Sequence, residues 1–251
     1  MNIKEYDNFS KQLNNHAERF SQQALSGEDT DHLNQKITPF SVLYQNSITL
    51  SLGAPGTGKT THFMREMFMI SESVPVIKQM NKNFECPVES IFYVTDKPYD
   101  RTFNRMYPHI NIPFKKISYE DLFDSFEEYV NYKSTVPEIA NKQTILFCDD
   151  AGEKFNCKNK KMIALMTQLR HYKCIFFICI QSWKMISPKV KSLISVVYLA
   201  PGMSELDFRY LKSQLTNMSL TSDEIKNIYF KLPSKFHKLM IDTREGTMKI
   251  I

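Results

Sequence analysis

The stretch that decides the fold is Ile48-Thr-Leu-Ser-Leu-Gly-Ala-Pro-Gly-Thr-Gly-Lys-Thr60, where an apolar run feeds straight into a glycine-rich loop. Its last part, Gly53-Ala-Pro-Gly-Thr-Gly-Lys-Thr60, matches G-x-x-x-x-G-K-[ST] in full. The match gains meaning from its flanks, a strand-like run before it and an amphipathic helical pattern after it. The glycines at 53, 56 and 58 let the loop curl so that successive backbone N–H groups face phosphate oxygens. The positive end of the following helix adds to that field. Gly53, Ala54, Pro55, Gly56, Thr57, Gly58, Lys59, Thr60 and Thr61 are therefore expected to cradle a nucleotide. Lys59 would place a point charge on the β- and γ-phosphates, and Thr60 would offer its hydroxyl to magnesium.

Outward from the loop, the apolar runs 47–52, 90–95, 144–148, 174–180 and 195–199 are short and nearly continuous rather than alternating. Runs of that kind predict strands covered on both faces, as in a parallel sheet. Helical patterns fill the gaps at 60–71, 119–132, 160–172 and 205–215, with Ser118 and Asp121 spaced as a capping box for the second. This alternation implies an α/β domain with a mainly parallel central sheet flanked by helices. The runs 238–241 and 247–251, about Thr243-Arg-Glu-Gly246, predict a C-terminal β-hairpin. Residues 1–40 are polar, with only Phe9, Leu13, Ala17, Phe20 and Ala24 at helical spacing. They read as a helical N-terminal extension to a domain spanning 41–251.

A phosphate cradle binds; hydrolysis needs more. Ile145-Leu-Phe-Cys-Asp-Asp150 is an apolar strand ending in paired acids. Asp149 is placed to hold magnesium, directly or through water, and Asp150 to orient or deprotonate the attacking water. Glu153 is the alternative candidate for the role of Asp150, since the loop could bring it back. The run 174–180 ends at Gln181. The carboxyl ends of parallel strands line the ligand crevice, so this carboxamide can bond both the γ-phosphate and the lytic water. No Leu-Ser-Gly-Gly-Gln signature occurs, and Asn141-Lys-Gln-Thr144 fails the guanine motif at its last position. ATP is favoured over GTP.

Composition excludes several classes. No apolar run reaches the ~18 residues that a membrane span needs. The start, Met1-Asn-Ile-Lys-Glu-Tyr-Asp7, lacks a signal-peptide layout, and five cysteines without a CxxC pair argue against a disulfide framework or a zinc site. The formal charge of +5 hides an asymmetry: residues 154–204 hold nine bases and no Asp or Glu, leaving 23 bases against 27 acids elsewhere. That segment points to an anionic partner. Lys154, Lys158 and Lys161, at i, i+4 and i+7, would share a face if helical; with Lys160 they are the candidate phosphate contacts.

The order of these motifs, Gly53–Thr60, the paired Asp149-Asp150, Leu169-Arg-His171 and a strand ending in Gln181, resembles the FtsK–HerA superfamily. More narrowly, residues 45–200 are similar to the genome-packaging ATPases of poxviruses, giant viruses and virophages. The resemblance implies a P-loop NTPase of the additional-strand type, with an extra strand between the P-loop strand and the Asp149 strand. It implies a hexameric or pentameric ring that uses ATP and Mg2+ to thread double-stranded DNA into a capsid, with portal or vertex proteins as partners. The host cytoplasm, at the viral factory, and the virion are the implied locations. In such rings a neighbour lends an arginine to the transition state, worth about 10³–10⁵ in rate. Arg170 is the first candidate for that finger, with Arg209 and Lys191 as alternatives. The loop alone reads equally as that of an AAA+ remodelling or loading ATPase, and a nucleotide-dependent assembly factor that barely hydrolyses is the third alternative.

Overall fold

The computed structural model describes residues 46–80, 88–155, 160–212, 221–234 and 237–251. The predicted N-terminal extension, residues 1–40, lies outside them. The strands are β1 (Ile48–Leu52), β2 (Val88–Val94), β3 (Phe114–Ile117), β4 (Gln143–Cys148), β5 (Cys174–Ile180), β6 (Ile194–Leu199), β7 (Leu239–Asp242) and β8 (Thr247–Ile250). They form one sheet in the order β3-β2-β4-β5-β1-β6-β7-β8. The first six positions pair in parallel, while β7 and β8 are antiparallel to their neighbours. β5 stands between β1 and β4, the extra strand that the resemblance implies.

Every residue of β1, β4, β5 and β6 is buried, which is why these segments read as unbroken apolar runs. Two apolar layers cover the sheet. One contains Phe63, Met64 and Met67 of α1 (Lys59–Met80) against Phe147, Phe177 and Tyr198. The other sets Leu122 and Phe126 of α3 (Leu122–Ser134) and Met162 and Leu165 of α5 (Lys160–Thr167) on Leu50, Leu146 and Phe176. Between these come α2 (Arg101–Met106) and the single turn α4 (Pro137–Ala140). After α5 come the short helices α6 (Leu169–Tyr172) and α7 (Pro188–Lys191), then α8 (Glu205–Lys212) and α9 (Ser222–Tyr229).

Several expectations are corrected. The helix after the P-loop does not stop at Ser71 but runs through Pro75 to Met80. The pattern at 160–172 is two helices, because Gln168 leaves helical geometry at φ −104 and ψ 19. Ser118 and Asp121 do bond each other, Ser118 Oγ accepting from the Asp121 N–H at 3.0 Å. That contact closes the turn before α3 rather than capping it, since Asp121 is itself the cap residue. β3 and α9 had no counterpart in the sequence reading. The helix expected at 205–215 is described to Lys212, and its remainder lies outside the described residues.

Candidate nucleotide site

β1 ends at Leu52, and the chain turns between the ends of its two neighbours. The Gly53 N–H donates to Ile180 O at 3.3 Å at the end of β5, and the Ala54 N–H to Pro201 O at 3.4 Å beyond β6. A methyl group on Gly53 would lie 2.6 Å from Ala200 Cβ, and one on Gly202 would lie 2.7 Å from Ala54 Cβ. The loop thus touches the 200–202 segment directly. Gly56 and Gly58 take φ of +75 and +71, left-handed geometry that costs other residues about 1–2 kcal/mol. Lys59 Nζ donates to the carbonyls of Gly53 and Ala54, each at 2.8 Å, so its ammonium lies across the mouth of the loop. Burial lowers its pKa, with the Cys179, Asp149 and Asp150 side chains opposing.

The parallel strands deliver their polar ends to this loop. Asp149, 3% exposed, follows β4, and its Oδ1 accepts from Thr60 Oγ1 at 3.1 Å. Its Oδ2 accepts from Tyr93 OH and Lys97 Nζ, each at 3.2 Å, while its carbonyl takes the Tyr119 hydroxyl at 3.1 Å. Asp150 is exposed and left-handed at φ +51, a strained state for a non-glycine residue and one that active sites concentrate. Gln181 Nε2 donates to Asp150 Oδ1 at 3.3 Å. The next residue is anchored as well: Ser182 Oγ donates to Asp207 Oδ1 of α8 at 2.8 Å. Lys59, Thr60, Asp149, Asp150 and Gln181 therefore line one cleft of about 470 Å³. The Thr60–Asp149 pair, oxygen against oxygen at the helix start, is the donor set that suits a hard divalent cation.

Sequence reasoning missed the other walls of the cleft. Lys97, on the loop after β2, lies 3.2 Å from Asp149, 3.6 Å from Asp150 and 4.0 Å from Asp100. Burial opposes its charge, but these carboxylates outweigh burial and hold the ammonium above the ordinary lysine range. Tyr93 also bonds Asp100, at 3.3 Å. Burial and these acids together keep its phenol protonated. On the far side, His62, Arg65 and Lys238 line the cleft. Burial, then Lys238 and Arg65, keeps the His62 imidazole neutral; burial pushes the Glu66 carboxyl beneath it up to about 8.

Other expected residues lie elsewhere. Arg170 is exposed on α6, before the amino end of β5, whereas Gln181 follows its carboxyl end. A strand of that length separates them by roughly 20 Å, so Arg170 does not reach the cleft of its own chain. Lys191 Nζ lies 5.4 Å above the ring of Trp183, which is buried within this chain's own core rather than at an outer surface. Arg209 falls on α8, and its side chain lies outside the described residues, as does that of Glu153. Lys154, Lys160 and Lys161 are exposed, while Lys158 lies outside the described residues. Lys154 sits in a 3-10 turn and Lys161 in α5, two separate elements. Lys154 pairs with Asp96 at 3.0 Å and lies over Tyr119; Lys161 lies over Phe123. No helix among the described residues is long and apolar enough to cross a membrane.

No protein-family model matches the sequence, and no curated protein does. Solved structures do share the fold. One is the genome-packaging NTPase B204 from Sulfolobus turreted icosahedral virus 2 in complex with AMPPCP, with a TM-score of 0.54 at 16% identity over 82% of this chain and 96% of that one. Another is B204, the DNA-packaging ATPase from Sulfolobus turreted icosahedral virus, at 0.53 and 14%, over 83% of this chain and 98% of that one. The cytoplasmic domain of the Thermomonospora curvata type VII secretion ATPase EccC aligns at 0.56 and 12%, covering 81% of this chain but 25% of its own. The chain has the P-loop NTPase fold, and the sequence resemblance points to the same group of structures.

Proposed function

We propose that this chain is an ATP-hydrolysing motor of the FtsK–HerA superfamily that moves double-stranded viral DNA into a capsid. The observation that carries the ATPase part is the meeting of Lys59, Thr60, Asp149, Asp150 and Gln181 in one cleft. What supports packaging is that the alignment takes in 96% of the viral B204 enzyme and 82% of this chain, against 25% of the EccC chain.

In this reading the 53–58 backbone and the start of α1 bind the phosphates, while Lys59 leaves the Gly53 and Ala54 carbonyls to meet them. Magnesium, held by Thr60 and Asp149, would neutralise phosphate charge. Asp150, turned into the cleft by its left-handed backbone, positions the attacking water and takes its proton, and Gln181 holds both Asp150 and the water. Copies assemble as a ring of five or six, and Arg170, displaced from its own cleft, serves a neighbour's, with Arg209 and Lys191 as alternatives. Lys154, Lys158, Lys160 and Lys161 contact DNA phosphates, and portal or vertex proteins receive the ring in the infected cytoplasm. Residues 41–251 form the ATPase domain, and 1–40 an extension to it.

Hydrolysis of ATP by the purified chain, with and without double-stranded DNA, tests the proposal. Stimulation by DNA is expected. Asp150→Asn should still bind ATP and lose about 10²–10⁴ in turnover, the range for a general base. Hydrolysis that DNA leaves unchanged would remove the motor and keep the ATPase. Full activity in Asp150→Asn would remove Asp150 as the base.

A further inference from the structure

Lys97 has a position that neither nucleotide binding nor general-base chemistry explains. Its ammonium faces three carboxylates, Asp149 at 3.2 Å, Asp150 at 3.6 Å and Asp100 at 4.0 Å. Asp149 divides its two oxygens between partners: Oδ1 takes the Thr60 hydroxyl, and Oδ2 takes Tyr93 and Lys97. Tyr93 is fully buried and fixed by stacking on Phe103 at 4.1 Å. Lys97 is 39% exposed on a flexible four-carbon stem and is the partner that can leave. It also lines the same cleft as Lys59 and Gln181, so the place it would swing to is the phosphate end of that cleft.

We propose that Lys97 competes with magnesium for Asp149 and is drawn off by the γ-phosphate, so that the site selects Mg·ATP and loosens Mg·ADP. This rests on reading the cleft as a magnesium–nucleotide site. A divalent cation shared by Thr60 and Asp149 claims the carboxylate to which Lys97 is paired, and like charges a few ångströms apart repel. With ATP the γ-phosphate supplies a new anionic partner, and the lysine exchanges one for another at little cost. ADP offers no such partner. Lys97 then stays against Asp149 and Asp150 and opposes the metal, which weakens the product complex. A lysine suits this exchange because it is a compact charge with rotatable donors, where arginine's planar fork favours one fixed pairing.

The test compares full-length wild type, Lys97→Met and Lys97→Arg for binding of fluorescent ADP and a fluorescent non-hydrolysable ATP analogue, each with Mg2+ or with EDTA. The ratio of ADP affinity with Mg2+ to that without should rise in Lys97→Met by on the order of tenfold. The preference for the ATP analogue over ADP in Mg2+ should fall by a similar factor. Lys97→Arg, which keeps the charge but favours one fixed pairing, should hold the Mg2+ ratio for ADP near wild type and lose part of the preference for the ATP analogue. If Lys97→Met melts early, Lys97→Gln, which keeps a donor for Asp149, gives the same readout. A Mg2+ ratio that is unchanged or falls in a folded variant would overturn the inference, leaving Lys97 as a brace for Asp149. Wild type that binds neither nucleotide would overturn the nucleotide reading of the cleft, and the inference with it.

Discussion

At the scale of single residues, the contact between Gly53 and Ala200 is the tightest constraint on the site. An added methyl at 53 meets Ala200 Cβ at 2.6 Å, and backbone and Thr57 atoms stand just beyond at 3.1–3.2 Å. Gly53→Ala is expected to cost about 1–3 kcal/mol, as overpacking does, and to weaken nucleotide binding by shifting the loop. Ala200→Gly in the same chain should restore part of both, as read by thermal melting and nucleotide titration. A double variant no better than the single one would show that the strain lies elsewhere. Asp149, Asp150 and Gln181 were legible because each closes an apolar run, and parallel strands bring such ends together. Lys97 obeys the same rule, two residues past the run at 90–95, but a lysine in a polar loop has no local mark that separates it from a solvated one. The left-handed turn at Asp150 was not legible either, since its sequence neighbours contain no glycine before 152.

Among the elements, α9 contributes more to the site than its distance in sequence suggests. The Tyr229 hydroxyl donates to Ala200 O at 2.8 Å and accepts from the Met203 N–H at 2.9 Å. It thereby pins the segment on which the P-loop rests. Tyr229→Phe should leave two buried backbone groups without that partner and cost about 1–3 kcal/mol. Nucleotide affinity should fall together with melting temperature; a drop in stability with unchanged affinity would separate α9 from the loop. The helix carries its own sequence signal, Thr221 and Glu224 ahead of Ile225, and both halves of the capping box form. β3 offered no such signal. Phe114-Lys-Lys-Ile117 covers one flank of β2, half of it faces solvent, and two lysines break the apolar pattern. The break at Gln168 was hidden for a different reason: no glycine or proline marks it, and Gln168 caps the second helix without a side-chain hydrogen bond.

For the molecule as a whole, the positive excess is confined to residues 154–204, and the structure divides that segment between solvent and core. Lys160 and Lys161 are exposed at the start of α5, where no acid of the segment offsets them. Reversing both to Glu should weaken binding to any double-stranded DNA alike and flatten the logarithmic salt dependence by about 1–2. An unchanged slope would return these lysines to ordinary surface charge. The sheet itself limits how copies of the chain can meet. Its outermost strands carry Lys115 and Lys116 on β3 and Lys249 on β8, all exposed. Charges on a free edge discourage another strand from adding to it. In a ring of copies, contacts would then fall to helices and loops rather than to one continuous sheet, and such contacts can slide or tilt without tearing a backbone ladder.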